Sequence, residues 1–200
     1  MLKDHSLLCT LLGKYFRYSV LAAVALALLP VGNAAWAKDD NEGGDERGAV
    51  RLLKTVPIPG SVANTTNGKL YSFDISFVDQ STQTYYLADR SNARVDVVDA
   101  KTGTFVKQIA GGFKGVAVVG GVVQNGQSGP NGVVAAFPWL FVTDAASRVV
   151  SIDLRTDTVV DQVSTGGADS FRADELAYDP KGGLLLVINN ADTPPFGRLI

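Results

Sequence analysis

Beyond its first ten residues the 200-residue chain contains no cysteine, histidine or methionine; Cys9, His5 and Met1 are the single copies. Residues 11–200 therefore cannot form a disulfide, a thiol nucleophile or a Ser-His-Asp triad. Nor can they offer imidazole, thiolate or thioether ligands, so no haem, iron–sulfur cluster or zinc is expected there. What remains is oxygen chemistry, which suits calcium, magnesium or manganese. Charge of either sign is also sparse, with 18 Lys+Arg against 20 Asp+Glu and a net charge of −2. That balance, with no clustered basic stretch, argues against nucleic acid as a partner, because phosphate contacts need grouped Lys and Arg. No Gly-x-Ser-x-Gly elbow and no phosphate loop occurs.

Only the N-terminal segment has a long apolar run, and it is too short to span a bilayer. Lys3, Lys14 and Arg17 precede the 11 residues 19–29 (SVLAAVALALL), which stop at Pro30 and lead to Ala35-Trp36-Ala37. A spanning helix needs about 20 apolar residues, whereas a basic start, a short apolar middle and a small-x-small end describe a secretory signal. Residues 1–37 are therefore read as a signal peptide cleaved after Ala37, leaving no stable membrane span and placing the protein in the periplasm or outside the cell. Cleavage removes Lys3, Lys14, Arg17 and Asp4, which leaves 15 basic and 19 acidic side chains and a net charge of −4. Residues 38–50 open with KDDNEGGDER, too poor in large apolar groups to offset the entropy of ordering, and read as a charged flexible linker.

From residue 51 the chain reads as one all-β domain. Apolar stretches of four to seven residues alternate with Gly, Asp, Asn, Ser and Thr clusters, and no window holds a helical period. The stretches repeat. Residues 85–89 (YYLAD) match 140–144 (LFVTD) and 185–189 (LLVIN); residues 94–99 (RVDVVD) match 148–153 (RVVSID). The matching ends, Asp89, Asp144 and Asn189, are 55 and then 45 residues apart. Units of roughly 40–50 residues with four strands each are the pattern of β-propeller blades. Extra length in one unit falls in the Gly-rich residues 113–129. Innermost strands are expected at 73–77, 131–135 and 175–178, headed by Asp74, Asn131 and Glu175. The recurring Asp89, Asp144 and Asn189, and the turn residues Asp99 and Asp153, read as blade architecture.

The segment LADRSNARVDVVDAKTGTFVKQI (residues 87–109) resembles NHL- and YVTN-type propeller repeats. GPNGVVAAFPWLFVTDAAS (residues 129–147) resembles the inner-strand segment of the senescence-marker/gluconolactonase family of six-bladed propellers. The resemblance implies that the chain supplies about three blades of a six-bladed ring and is the N-terminal part of a longer protein, its propeller domain at residues 51–200 being incomplete at the C-terminus. The family's Asn-Gly element, whose Asn binds metal there, falls on Asn131-Gly132. Its first-blade Glu falls at Asp74, without the surrounding Glu-Gly-Pro pattern, and Glu175 corresponds by repeat position.

Asp74, Asn131 and Glu175 are thus the candidate metal ligands, converging on one mouth of the central channel and suited to Ca2+ or another divalent cation. The expected function is an exported binding or scaffold module for a small molecule or protein. The alternative implied by the resemblance is a metal-dependent lactone or ester hydrolase with Glu175 as base; whether the protein is an enzyme stays open between these two. N-terminal sequencing of the exported protein is expected to begin at Lys38, the residue after the Ala35-Trp36-Ala37 site.

Overall fold

The computed structural model describes residues 50–200, so the expected signal peptide and nearly all of the linker lie outside the described residues. Residues 50–75 form no strand. They lie along the first sheet, with Lys54 Nζ donating to the Thr102 carbonyl at 3.2 Å and Ser61 N donating to Asn92 Oδ1 at 2.7 Å.

Three antiparallel meanders follow. The first holds β1 (Ser76–Asp79), β2 (Thr84–Asp89), β3 (Arg94–Asp99) and β4 (Thr104–Ile109), in that spatial order. A small hairpin, β5 (Val118–Val119) and β6 (Val122–Val123), then a 3-10 turn at Asn125–Gln127, occupies the expected insertion. The second meander holds β7 (Val133–Ala136), β8 (Trp139–Asp144), β9 (Arg148–Asp153) and β10 (Thr158–Ser164). The third holds β11 (Leu176–Asp179), β12 (Leu184–Asn189) and β13 (Phe196–Leu199). Sequential up-and-down sheets packed face to face are propeller blades, and the fold is all-β. The recurring strands end at Asp89, Asp144 and Asn189 as expected. The inner strands start later than expected, at Ser76, Val133 and Leu176, although backbone bonds to their own neighbouring strands continue before them. At the head of the first, Ile75 N turns to the next blade and donates to the Asn131 carbonyl at 3.0 Å.

The apolar pattern explains why the blades stack. The middle blade is buried on both faces, since alternate residues of a strand point to opposite sides. One face, with Val133, Leu140, Val142 and Ile152, meets Tyr86, Val95 and Val97 of the first blade. The other, with Val134, Phe141 and Val149, meets Leu185 and Val187 of the third. Phe141 and Tyr178 lie 5.2 Å apart between ring centroids across that second interface. Trp139 sits under the Arg155 guanidinium at 5.6 Å. Each full valine or leucine burial contributes about 1.5–3 kcal/mol.

The turns are chemically specified too. Asp99 accepts from Thr102 N at 2.8 Å and Asp153 from Arg155 N at 2.9 Å, closing the β3–β4 and β9–β10 connections as expected. Gly132 serves a different need. A Cβ there would lie 2.6 Å from the Asp174 carbonyl oxygen and 2.9 Å from Thr143 Oγ1, so its hydrogen lets the second and third blades approach. Gly132→Ala is expected to cost about 1–3 kcal/mol through overpacking, read as a lower denaturation midpoint with an unchanged slope.

Candidate functional site

The heads of the inner strands are held in one register. Asp74 N donates to the Ala88 carbonyl at 2.9 Å, Asn131 N to that of Thr143 at 2.9 Å, and Asp174 N to that of Ile188 at 2.8 Å. The third equivalent position is therefore Asp174, one residue before the Glu175 expected from the repeat. Because successive side chains alternate in direction, that single step separates them. Asp174 is buried like Asn131, and Asp74 is half-buried, whereas Glu175 is exposed and lines a neighbouring cavity.

Two arginines knit the heads together. Arg90 immediately follows Asp89, the strand-end residue that recurs at Asp144 and Asn189, and its guanidinium turns to the second blade's Asn131. Its Nε and Nη2 donate to Asn131 Oδ1 at 3.0 and 2.7 Å, and Nη2 also bonds Asp74 Oδ2. Arg172, two residues before Asp174, donates from Nη1 to Asp74 Oδ2 at 3.2 Å and from Nη2 to Asp174 Oδ2 at 2.7 Å. Asn190 Nδ2 donates to the same Asp174 oxygen. Asn131 returns the link to the third blade, its Nδ2 donating to the Ala173 carbonyl at 2.7 Å. Two carboxylates, two guanidiniums and two amides thus make a charge-neutral cluster. Sequence reasoning found Asp74 and Asn131 and missed Arg90, Arg172, Asp174 and Asn190; the Asp-Arg pair at 89–90 and the Arg-Ala-Asp at 172–174 were the available signals.

Burial sets the electrostatics. Arg90 is only 5% exposed and Asp74 24%. Loss of hydration raises the Asp74 carboxyl above its ordinary range, against the opposing pull of Arg90 and with a further push from Asp174. Burial likewise lowers Arg90, opposed by Asp74.

A divalent cation does not fit the set Asp74, Asn131 and Glu175. The Asn131 oxygen and an Asp74 oxygen already face the Arg90 guanidinium, and Glu175 lies on another face. Among the described residues, no group of three or more His, Cys, Asp or Glu side chains is arranged to hold a metal ion. No helix among them is long and apolar enough to cross a membrane.

No family model and no curated protein matches the chain. Among solved structures, it is similar to hydrazine synthase of Kuenenia stuttgartiensis, with 15% identity, a TM-score of 0.39, and 70% of this chain covering 31% of that one. It is also similar to the Cps50 (Swd1) β-propeller domain of Myceliophteria thermophila, with 8% identity, a TM-score of 0.40, and 64% of this chain covering 38% of that one. The chain spans about a third of the length of these proteins, and the propeller assignment rests on its own three sheets.

Arg90→Gln is expected to destabilise the protein by about 3 kcal/mol near neutral pH, since it leaves Asp74 buried without its main counter-charge. The sign with pH follows from the raised Asp74 pKa. A protonated Asp74 needs no cation, so the cost shrinks as pH falls through the folded-state pKa. Urea denaturation of both proteins across the acid range measures it.

Proposed function

We propose that the chain is an exported propeller module that binds a small molecule at the mouth formed by its inner-strand heads. The observation that carries this reading is Asp174 Oδ1, buried without a hydrogen-bond partner while the polar side-chain atoms of Arg90 and Asn131 beside it are engaged. An orphaned carboxylate oxygen at a partly open rim calls for a donor, and a ligand hydroxyl or amine supplies one. Asp74 and Arg172 remain 24% and 15% exposed, so the cluster is reachable from solvent. One residue beyond the first and third heads begins a cavity of about 310 Å3, lined by Ile75, Glu175, Leu176, Ala177, Leu186 and Ile188. Polar rim and largely apolar wall together suit an amphipathic small molecule. The basic, apolar and small-residue segments of residues 1–37 support export.

Glu175 supports a second reading. Its exposed carboxylate faces the same cavity and is a suitable general base for lactone or ester hydrolysis. The binding reading is favoured because the Arg90 guanidinium already occupies the faces of the Asp74 and Asn131 oxygens that a metal ion would need.

Calorimetry of the intact exported protein, on compounds chosen by thermal-shift screening for hydroxyl or amine groups on an apolar frame, tests the proposal. Asp174→Asn is expected to weaken binding about 10- to 100-fold, the worth of a hydrogen bond to a charged group. Affinity indifferent to that change overturns the site, and lactone turnover lost in Glu175→Gln establishes the second reading instead.

A further inference from the structure

Two more carboxylates meet on the face of the first blade turned away from the second. Asp89 ends β2 and Asp96 lies in β3 opposite Leu87, and both are 0% exposed. Asp89 is bonded by the backbone and side-chain nitrogens of Asn92. Asp96 Oδ1 accepts from Gln108 Nε2 at 2.9 Å, while Asp96 Oδ2 is buried with no partner. Among the described residues, neither acid has a salt-bridge partner.

The second blade shows what is missing. Its Asp144 occupies the position of Asp89 and is ion-paired by Arg148, four residues on, at 2.6 Å. The equivalent arginine of the first blade, Arg94, instead donates to the Ala93 carbonyl at 3.1 Å. The position of Asp96 is filled in the second blade by Val150, an ordinary core residue. The first blade has therefore gained one buried acid while its register-equivalent arginine is turned away from the other. Burial and the neighbouring Asp89 push Asp96 up to about 8. A buried pair of acids without counter-charge is costly, and a departure from the local rule of this kind marks a functional position.

We propose that Asp89 and Asp96 bind a calcium ion. Hard oxygens suit calcium, and a dry setting favours it over magnesium, which keeps several of its waters. Neutral oxygens stand nearby. Gln108 Nε2 lies 2.9 Å from both Asp96 Oδ1 and the Pro59 carbonyl oxygen, and a half-turn of that amide presents its oxygen in the same place. Pro59 belongs to the strandless segment 50–75, so the ion ties that segment to the first blade.

The test uses the purified full-length chain stripped with a chelator, at a pH where both acids are ionised. Calcium alone is the probe, and bound metal, melting temperature and trypsin cleavage at Lys54 are the readouts. One calcium per chain, a higher melting temperature and slower cleavage at Lys54 are expected, and all three effects are lost in Asp96→Asn. Asp96→Val, which installs the second blade's residue, is expected to fold without calcium and to ignore it. Asp74→Asn, at the channel mouth, is expected to keep the full calcium response. Absence of bound calcium in the wild-type protein overturns the proposal and leaves a proton shared by the two acids. A response that survives Asp96→Asn but vanishes in Asp74→Asn overturns it in favour of the mouth.

Discussion

Asn131 has no idle hydrogen-bonding group, and its bonds reach all three blades. Its backbone N–H serves its own sheet, its carbonyl receives Ile75 from the first blade, its side-chain oxygen receives Arg90, and its side-chain nitrogen reaches the third blade at Ala173. An aspartate there would lose the donor to Ala173, and a glutamine would carry the same amide one methylene too far. Gly132 beside it has no side chain because the third blade's backbone passes within contact of its Cα. This Asn-Gly pair fixes how neighbouring blades approach, and with it the positions of every group at the mouth. The apolar clusters on either face of the middle blade supply most of the stabilisation, but they are tolerant of small slides; the amide is not.

Charge compensation governs the rest of the rim. A carboxylate removed from water needs a nearby positive group, a donor or a proton. At the mouth the fold meets that need with Arg90 for Asp74 and Arg172 for Asp174, and Arg172 also reaches across to Asp74 of the first blade. In the second blade it meets it locally, through Arg148. Asp174 Oδ1 and Asp96 Oδ2 are the buried carboxylate oxygens left without a partner among the described residues, and they mark the two places where the fold leaves that need unmet.

Blade order, strand ends and turn acids were legible in the sequence because each is local: a period-two apolar pattern, an Asp before a tight turn, a restart after a fixed spacing. The joining of Asp74 and Asn131 was legible for the same reason, through their shared place in the repeat. Glu175 misled because its 44-residue spacing from Asn131 tracked the 45-residue spacing of the strand ends Asp144 and Asn189, and spacing alone does not distinguish neighbouring residues on opposite faces of a strand. The arginines stood beside repeat acids in the sequence, but their partners were not legible. A guanidinium at the end of a long side chain reaches across blades, and nothing in a linear pattern says which acid it will meet. The acid at 96 was visible as a break in an apolar strand, yet its meaning appears only beside Val150 in the next blade.

The hairpin between the first two blades accounts for their unequal repeat lengths. Its stem is closed where Gly115 bridges Gly129, so the blades keep their places whatever the chain does beyond that point. Closing a longer loop there costs little, about 0.6 kcal/mol for each doubling. The hairpin raises Val118, Val119, Val122 and Val123 into solvent on both sides of a Gly120-Gly121 turn. The graft point is the tip: foreign segments of very different length can be spliced in at Gly120-Gly121, while the Asn125 and Gly126 carbonyls keep their hold on Arg172.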